Sequence, residues 1–144
     1  MDTQELSDRA EIAGVLYRYA RGVDSKDWAL WRTAFTEDAH LDYSSAQGPV
    51  GDRETIGQWL EASFAHIDGA HHYITNIEIT VNGDEATATA LFYNPFRAVW
   101  VEKFSTAGGY YHHTLVRTAE GWKSRKLVEE NRWIQDAPGM PPGM

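Results

Sequence analysis

The sequence predicts an α+β domain in which N-terminal helices pack on one face of a strongly bent, mostly antiparallel sheet. Three observations predict it. Apolar residues recur at helical spacing through the first part of the chain, up to about Ala65. From Tyr73 to about Ile134 the pattern is that of long strands separated by tight turns. The 144 residues suit one domain, and no internal repeat or mid-chain linker divides them. Helices and strands therefore share one core, and the concave side of the sheet, roofed by helices, forms a pocket.

Each element has its own signal. Ile12, Val15, Leu16, Tyr19 and Val23 form one buried helical face, and Gly22 with Asp24-Ser25 offers a stop followed by a new N-cap. A second helix is expected from about Lys26 to Phe35, with Trp28, Trp31, Ala34 and Phe35 inward. Leu41-Asp42-Tyr43 reads as a short strand. Gly48-Pro49 and Gly51-Asp52 break the chain before a third helix, about Arg53 to Ala65, carrying Ile56, Trp59, Leu60 and Phe64. Tyr73 to Val81 is β-branched and partly alternating, and Asn82-Gly83 is a strong hairpin signal. Ala86 to Val101 continues as a long strand, with Pro95 suggesting a bulge or an edge. Gly108-Gly109 reads as a break before the strand Tyr110–Thr118. Glu120-Gly121 turns the chain into a last strand, Trp122 to about Ile134. The domain is expected over 1–137, with 138–144 a Pro/Gly-rich tail.

Composition narrows the function. A formal charge of −8, with 13 scattered basic residues against 21 acidic ones, argues against nucleic acid as a partner. No apolar run approaches the ~20 residues of a membrane span. The acidic start Met1-Asp2-Thr3-Gln4-Glu5 lacks signal-peptide features. Together with the absence of cysteine, that makes a cytoplasmic protein the expectation. Missing cysteine also removes disulfides, thiolate metal sites and cysteine nucleophiles. Six Trp and seven Tyr suit a core or the wall of an apolar ligand pocket.

Several residues invite two readings. Asp24 reads as a cap for the second helix or as a carboxylate partner for His72, itself either a core histidine or a base. Tyr19 lies on the apolar face of the first helix, as core or as a positioned hydroxyl. Tyr43, Asn94, Tyr110 and His112 are candidates to bind a substrate oxygen. Tyr110, His112 and Thr114 share one strand face, and Tyr111 and His113 the other. The same alternation weakens a metal reading of His71-His72 and His112-His113, since neighbours point to opposite faces. No metal or cofactor is expected. Arg132 either clamps a substrate or pairs with Glu129 or Glu130.

Taken in order, Tyr19-Ala20-Arg21-Gly22-Val23-Asp24-Ser25-Lys26-Asp27-Trp28, Phe35-Thr36-Glu37-Asp38-Ala39 and Gly51-Asp52-Arg53 form one half of a pattern. His71-His72-Tyr73-Ile74-Thr75-Asn76, Gly109-Tyr110-Tyr111 and Glu120-Gly121-Trp122 form the other. The whole resembles the SnoaL-like branch of the nuclear-transport-factor-2-like superfamily, nearest its scytalone dehydratase, bile-acid dehydratase and lindane dehydrochlorinase members. That resemblance implies a cone-shaped α+β barrel enclosing a cavity. It also implies an Asp24–His72 dyad for proton transfer, with Tyr19 in the catalytic set and Arg132 facing substrate. Two positions depart from it: Asn94 stands where the bile-acid enzyme has an Asp, and Phe96 where scytalone dehydratase has a second His.

The expectation is therefore a cofactor-independent dehydratase or isomerase for an apolar small molecule. Its alternative is a non-catalytic binder or assembly protein on the same scaffold. Trp28, Phe92, Tyr110 and His112 are expected to line one cavity with the dyad. Leu91, Val99, Leu115 and Leu127 are expected on the outer sheet face. They predict a homo-oligomer, and the resemblance favours a trimer over a dimer.

Overall fold

The structure, a computed structural model, describes residues 1–143. In chain order it comprises α1 (Thr3–Asp24), α2 (Trp28–Arg32), β1 (Phe35–Asp42), a 3-10 turn (Ser44–Ala46), β2 (Val50–Asp52), α3 (Arg53–Phe64), β3 (Ile67–Ala70), β4 (Tyr73–Asn82), β5 (Glu85–Ala98), β6 (Ser105–Thr118) and β7 (Gly121–Gln135). The seven strands form one sheet in the order β2-β1-β7-β6-β5-β3, with β4 also pairing β5. Only β1 and β7 run parallel. The sheet is bent but not closed, and the helices cover its concave face: the α+β arrangement the sequence predicts.

Helix boundaries follow side-chain caps. Asp2 accepts from the Glu5 N–H at 2.8 Å, Asp27 from Leu30 at 3.0 Å and Asp52 from Thr55 at 2.7 Å, each satisfying a donor the helix leaves open. The second helix is shorter than expected. It starts after Asp27, and the Ser124 N–H bonds the Ala34 carbonyl at 2.8 Å, drawing Phe35 into β1 beside β7. Trp31 and Phe35 are fully buried, each worth about 1.5–3 kcal/mol or more in removed apolar surface. Gly22 permits the tight α1–α2 corner, because a Cβ there would meet the Trp31 backbone at 2.8 Å.

Three further expectations are corrected. Gly108 and Gly109 are not a break. They lie inside β6, where a Gly109 Cβ would fall 2.0 Å from the Glu130 carbonyl oxygen, so glycine here allows close strand approach. Pro95 forms neither a bulge nor an edge against β6, whose register stays regular; it lies where the other neighbour of β5 changes from β4 to β3. Leu115 and Leu127 are fully buried in the core, whereas Val99 is exposed. Inward positions of β6 are the odd-numbered ones, which puts Leu115 inside.

Residues 136–143 have no regular structure, and the Trp100 indole donates to the Pro138 carbonyl at 3.2 Å. Met144 lies outside the described residues. No helix among the described residues is long and apolar enough to cross a membrane.

Candidate active site

The apolar stripe of α1 lays Tyr19 against the sheet and brings Asp24, its last residue, to the start of β4. There His72 approaches with both its ring and its main chain. Asp24 Oδ1 lies 2.6 Å from His72 Nδ1, and Oδ2 accepts the His72 backbone N–H at 2.9 Å. The capping alternative for Asp24 falls away, because Asp27 caps α2. A carboxylate can only accept, so Nδ1 carries a ring proton, and the neutral imidazole held this way presents the Nε2 lone pair.

His72 forms part of the wall of a cavity of about 480 Å³ between the helices and the sheet, within the range of small-molecule sites. Val23, Leu60, Phe64, Phe92 and Phe96 supply much of its apolar wall, and no Lys or Arg lines it. The Tyr19 and Tyr43 hydroxyls hydrogen-bond each other directly, with the Tyr111 ring 5.1 Å from that of Tyr19. Burial pushes all three phenols up from their ordinary range, so they stay protonated and act as donors. Asn94 lies at the cavity wall, and its Oδ1 is buried without a hydrogen-bond partner, an unpaired acceptor.

Other candidates lie elsewhere. Tyr110 and His112 occupy the outer face of β6, where His112 Nε2 donates to Glu130 Oε1 at 2.9 Å. The strand alternates as expected, but with the opposite face inward: Tyr111 lines the cavity, and His113 is buried behind it, near Tyr19 and Phe35. Arg132 pairs with Glu130 at 2.9 Å on the outside. Alternation along β7 places it there, on the face of Glu130; the bulge beside it, where Gly108 pairs Trp133 and Gly109 pairs Asn131, turns Trp133 outward as well. Trp28 packs on Phe64, behind the cavity wall.

Glu129 was missed. It is 8% exposed and lines the cavity. The Ser45 hydroxyl donates to its backbone carbonyl at 2.7 Å and stands 3.4 Å from its Oε1. Burial raises its carboxyl to about 7. Neighbouring Glu130 points outward, and Arg132 and His112 hold it below its ordinary value. Strand alternation separates the two glutamates, but sequence alone leaves open which one faces inward.

A SnoaL-like domain model matches residues 4–128. A functionally uncharacterised Mycobacterium tuberculosis protein is 30% identical over 130 residues, covering 90% of this chain and 88% of the relative. Terrestric acid biosynthesis cluster protein E of Penicillium crustosum is 29% identical over 141 residues, covering 92% and 88%. Among solved structures, a Kribbella flavida protein superposes with a TM-score of 0.84 at 28% identity, covering 92% of this chain and 95% of the other. A scytalone dehydratase-like protein of Novosphingobium aromaticivorans gives 0.86 at 21%, covering 100% and 99%. The hexachlorocyclohexane dehydrochlorinase of Novosphingobium barchaimii gives 0.82 at 20%, covering 99% and 100%.

Proposed function

We propose, since the chain belongs to the SnoaL-like family, that it is a cofactor-independent lyase or isomerase acting on an apolar aromatic, polycyclic or steroid-like molecule. The observation that carries the reading is the Asp24–His72 contact at the wall of an apolar cavity. His72 Nε2 takes a proton from a substrate carbon beside a carbonyl, and Asp24 stabilises the imidazolium that forms. Within the hydrogen-bonded Tyr19–Tyr43 pair, the hydroxyl that accepts from its partner keeps its own proton to donate to the oxygen on which the negative charge develops. Asn94 binds a substrate hydroxyl through its open acceptor. Loss of water is the favoured outcome, in keeping with relatives of the same fold named for a dehydratase and a dehydrochlorinase.

The half-reaction can be tested without the natural substrate. 2-Tetralone in heavy water should exchange its protons beside the carbonyl faster with the protein than without it, as followed by NMR. His72→Gln should lose that acceleration by roughly 10²–10⁴-fold. Acceleration that survives intact in His72→Gln removes His72 as the base, and no acceleration by the wild-type protein leaves the non-catalytic binder.

The same reading includes a homo-oligomer, a trimer ahead of a dimer. The outer face of the sheet carries exposed Tyr73, Tyr93 and Trp133, with successive ring centroids 6.1 Å apart. A contiguous aromatic surface of this kind favours association. Light scattering at micromolar concentration should give a multiple of 16.3 kDa; a monomer defeats the assembly.

A further inference from the structure

Glu129 is a buried carboxyl that the Asp24–His72 chemistry does not use. Every group facing it is neutral or acidic. Tyr19 comes from α1, Tyr43 and Ser45 from the segment after β1, and Tyr111 from β6. From α3, Trp59 packs at a tilt against Tyr43, with ring centroids 5.3 Å apart, and brings no charge. Lys126 and Arg132, the cations nearest in sequence at three residues on either side, are both exposed, and Arg132 is paired with Glu130. An ionised carboxylate here would be desolvated, without a countercharge, and with one long hydrogen bond at 3.4 Å, a costly state. The neutral acid faces no such cost.

Position adds to this. His72 immediately precedes β4 and Glu129 lies on β7, separated by β5 and β6. Three strand spacings of ~4.8 Å separate β4 from β7 across the bent sheet. Both reach the same cavity.

We propose that Glu129 is a second catalytic residue, the general acid that protonates the leaving oxygen of a neutral, ring-fused β-hydroxy ketone while His72 acts at carbon. The inference rests on the dyad reading and assigns its substrate class. In the step, His72 Nε2 takes the proton from the carbon beside the carbonyl, and that C–H pair becomes the new C=C bond. The C–O bond to the hydroxyl breaks with its electron pair on oxygen, which takes the Glu129 proton and leaves as water. The imidazolium and the carboxylate then remain. After product release, water carries the surplus proton from His72 to Glu129 and restores both. A carboxylate-bearing substrate is disfavoured, because the cavity offers no cation to receive it.

Two substrates separate the roles. Proton exchange on 2-tetralone has no leaving group and needs only the base. Loss of water from 4-hydroxy-2-tetralone gives fluorescent 2-naphthol and needs both base and acid. Glu129→Gln should slow elimination roughly 10²-fold or more while exchange stays within a few-fold of wild type. His72→Gln should lose both. If Glu129→Gln eliminates water at the wild-type rate, the acid assignment fails and the dyad stands. If exchange is insensitive to His72→Gln, the dyad reading fails instead. A readout independent of turnover is the carbon-13 side-chain carboxyl resonance of labelled glutamate that disappears in Glu129→Gln. In the wild-type protein it should titrate near 7; titration in the ordinary glutamate range overturns the proposal, whatever the variants do.

Discussion

Asp24 commits both of its oxygens to His72, Oδ1 to the ring at 2.6 Å and Oδ2 to the main chain at 2.9 Å. One contact orients the imidazole, and the other fixes the chain segment that carries it. The helix that follows does not depend on Asp24, because Asp27 supplies its cap. Chemistry and local stability therefore rest on two different aspartates three residues apart in sequence.

That division gives a paired prediction. Asp24→Asn retains the shape but removes the charge that stabilises the imidazolium and lets the ring take the other tautomer. Exchange on 2-tetralone should fall by an order of magnitude or more, with little change in melting temperature. Asp27→Ala should show the reverse, with turnover kept and about 0.5–2 kcal/mol of stability lost. Thermal melts and exchange rates on the two variants check it. A large stability loss in Asp24→Asn with normal exchange would make Asp24 structural.

The tyrosine pair predicts non-additivity. Tyr19→Phe or Tyr43→Phe leaves the surviving hydroxyl buried without its direct partner, at about 1–3 kcal/mol. The double variant removes both polar groups and should cost clearly less than the sum of the two. A double-mutant cycle from denaturant unfolding measures the coupling; strict additivity would mean the hydroxyls do not depend on each other.

Gly108 and Gly109 predict unequal tolerance. An alanine Cβ at Gly109 meets the Glu130 carbonyl oxygen at 2.0 Å, a backbone atom that can move only with β7. Gly109→Ala should destabilise by ~3 kcal/mol or more and disturb the register that points Glu129 inward. At Gly108 the obstacle is the Trp133 ring at 2.3 Å, which is 44% exposed and free to swing away. Gly108→Ala should be much milder, and urea unfolding of the two variants compares them directly.

The order of helices and strands could be read from the sequence because periodicity, capping residues and the Asn82-Gly83 turn are local signals. What could not be read was set by contacts between strands. Tyr110 to His113 alternates Tyr, Tyr, His, His, so both faces of β6 carry one of each and the pattern does not say which is inside. The inward face is decided by Leu115, Ala107 and Gly109, which pack or approach closely in the core. Arg132 shares the outward face of Glu130 two residues earlier, a phase that strand contacts set, and the one-residue bulge opposite the glycine pair turns Trp133 outward after it. Asp24 and His72 lie 48 residues apart, and no spacing rule joins them; family resemblance suggested that pair. Glu129 escaped notice because a glutamate beside Glu130 and Arg132 reads as an ordinary surface charge.

Glu129 and His113 together make a prediction about stability against pH. Burial raises the Glu129 carboxyl to about 7 from 4.5. Between those values the folded state keeps a proton that the unfolded state has lost. Stability from this group is therefore fully present below about 4.5 and falls as pH rises toward 7, by on the order of 3 kcal/mol in all. His113 works in the other direction. Its ring is buried between Tyr19 and Phe35, and burial lowers it from 6.5 to about 3. Across that interval the unfolded state binds the extra proton, so stability falls as pH drops. The two slopes are of equal size and opposite sign between about 4.5 and 6.5, and from these groups the wild-type melting temperature should be nearly flat there. Glu129→Gln removes one slope and uncovers the other: its melting temperature should rise steadily with pH across the same interval. A profile parallel to wild type would mean that Glu129 titrates alike in the folded and unfolded chain, and would take the neutral carboxyl out of the cavity.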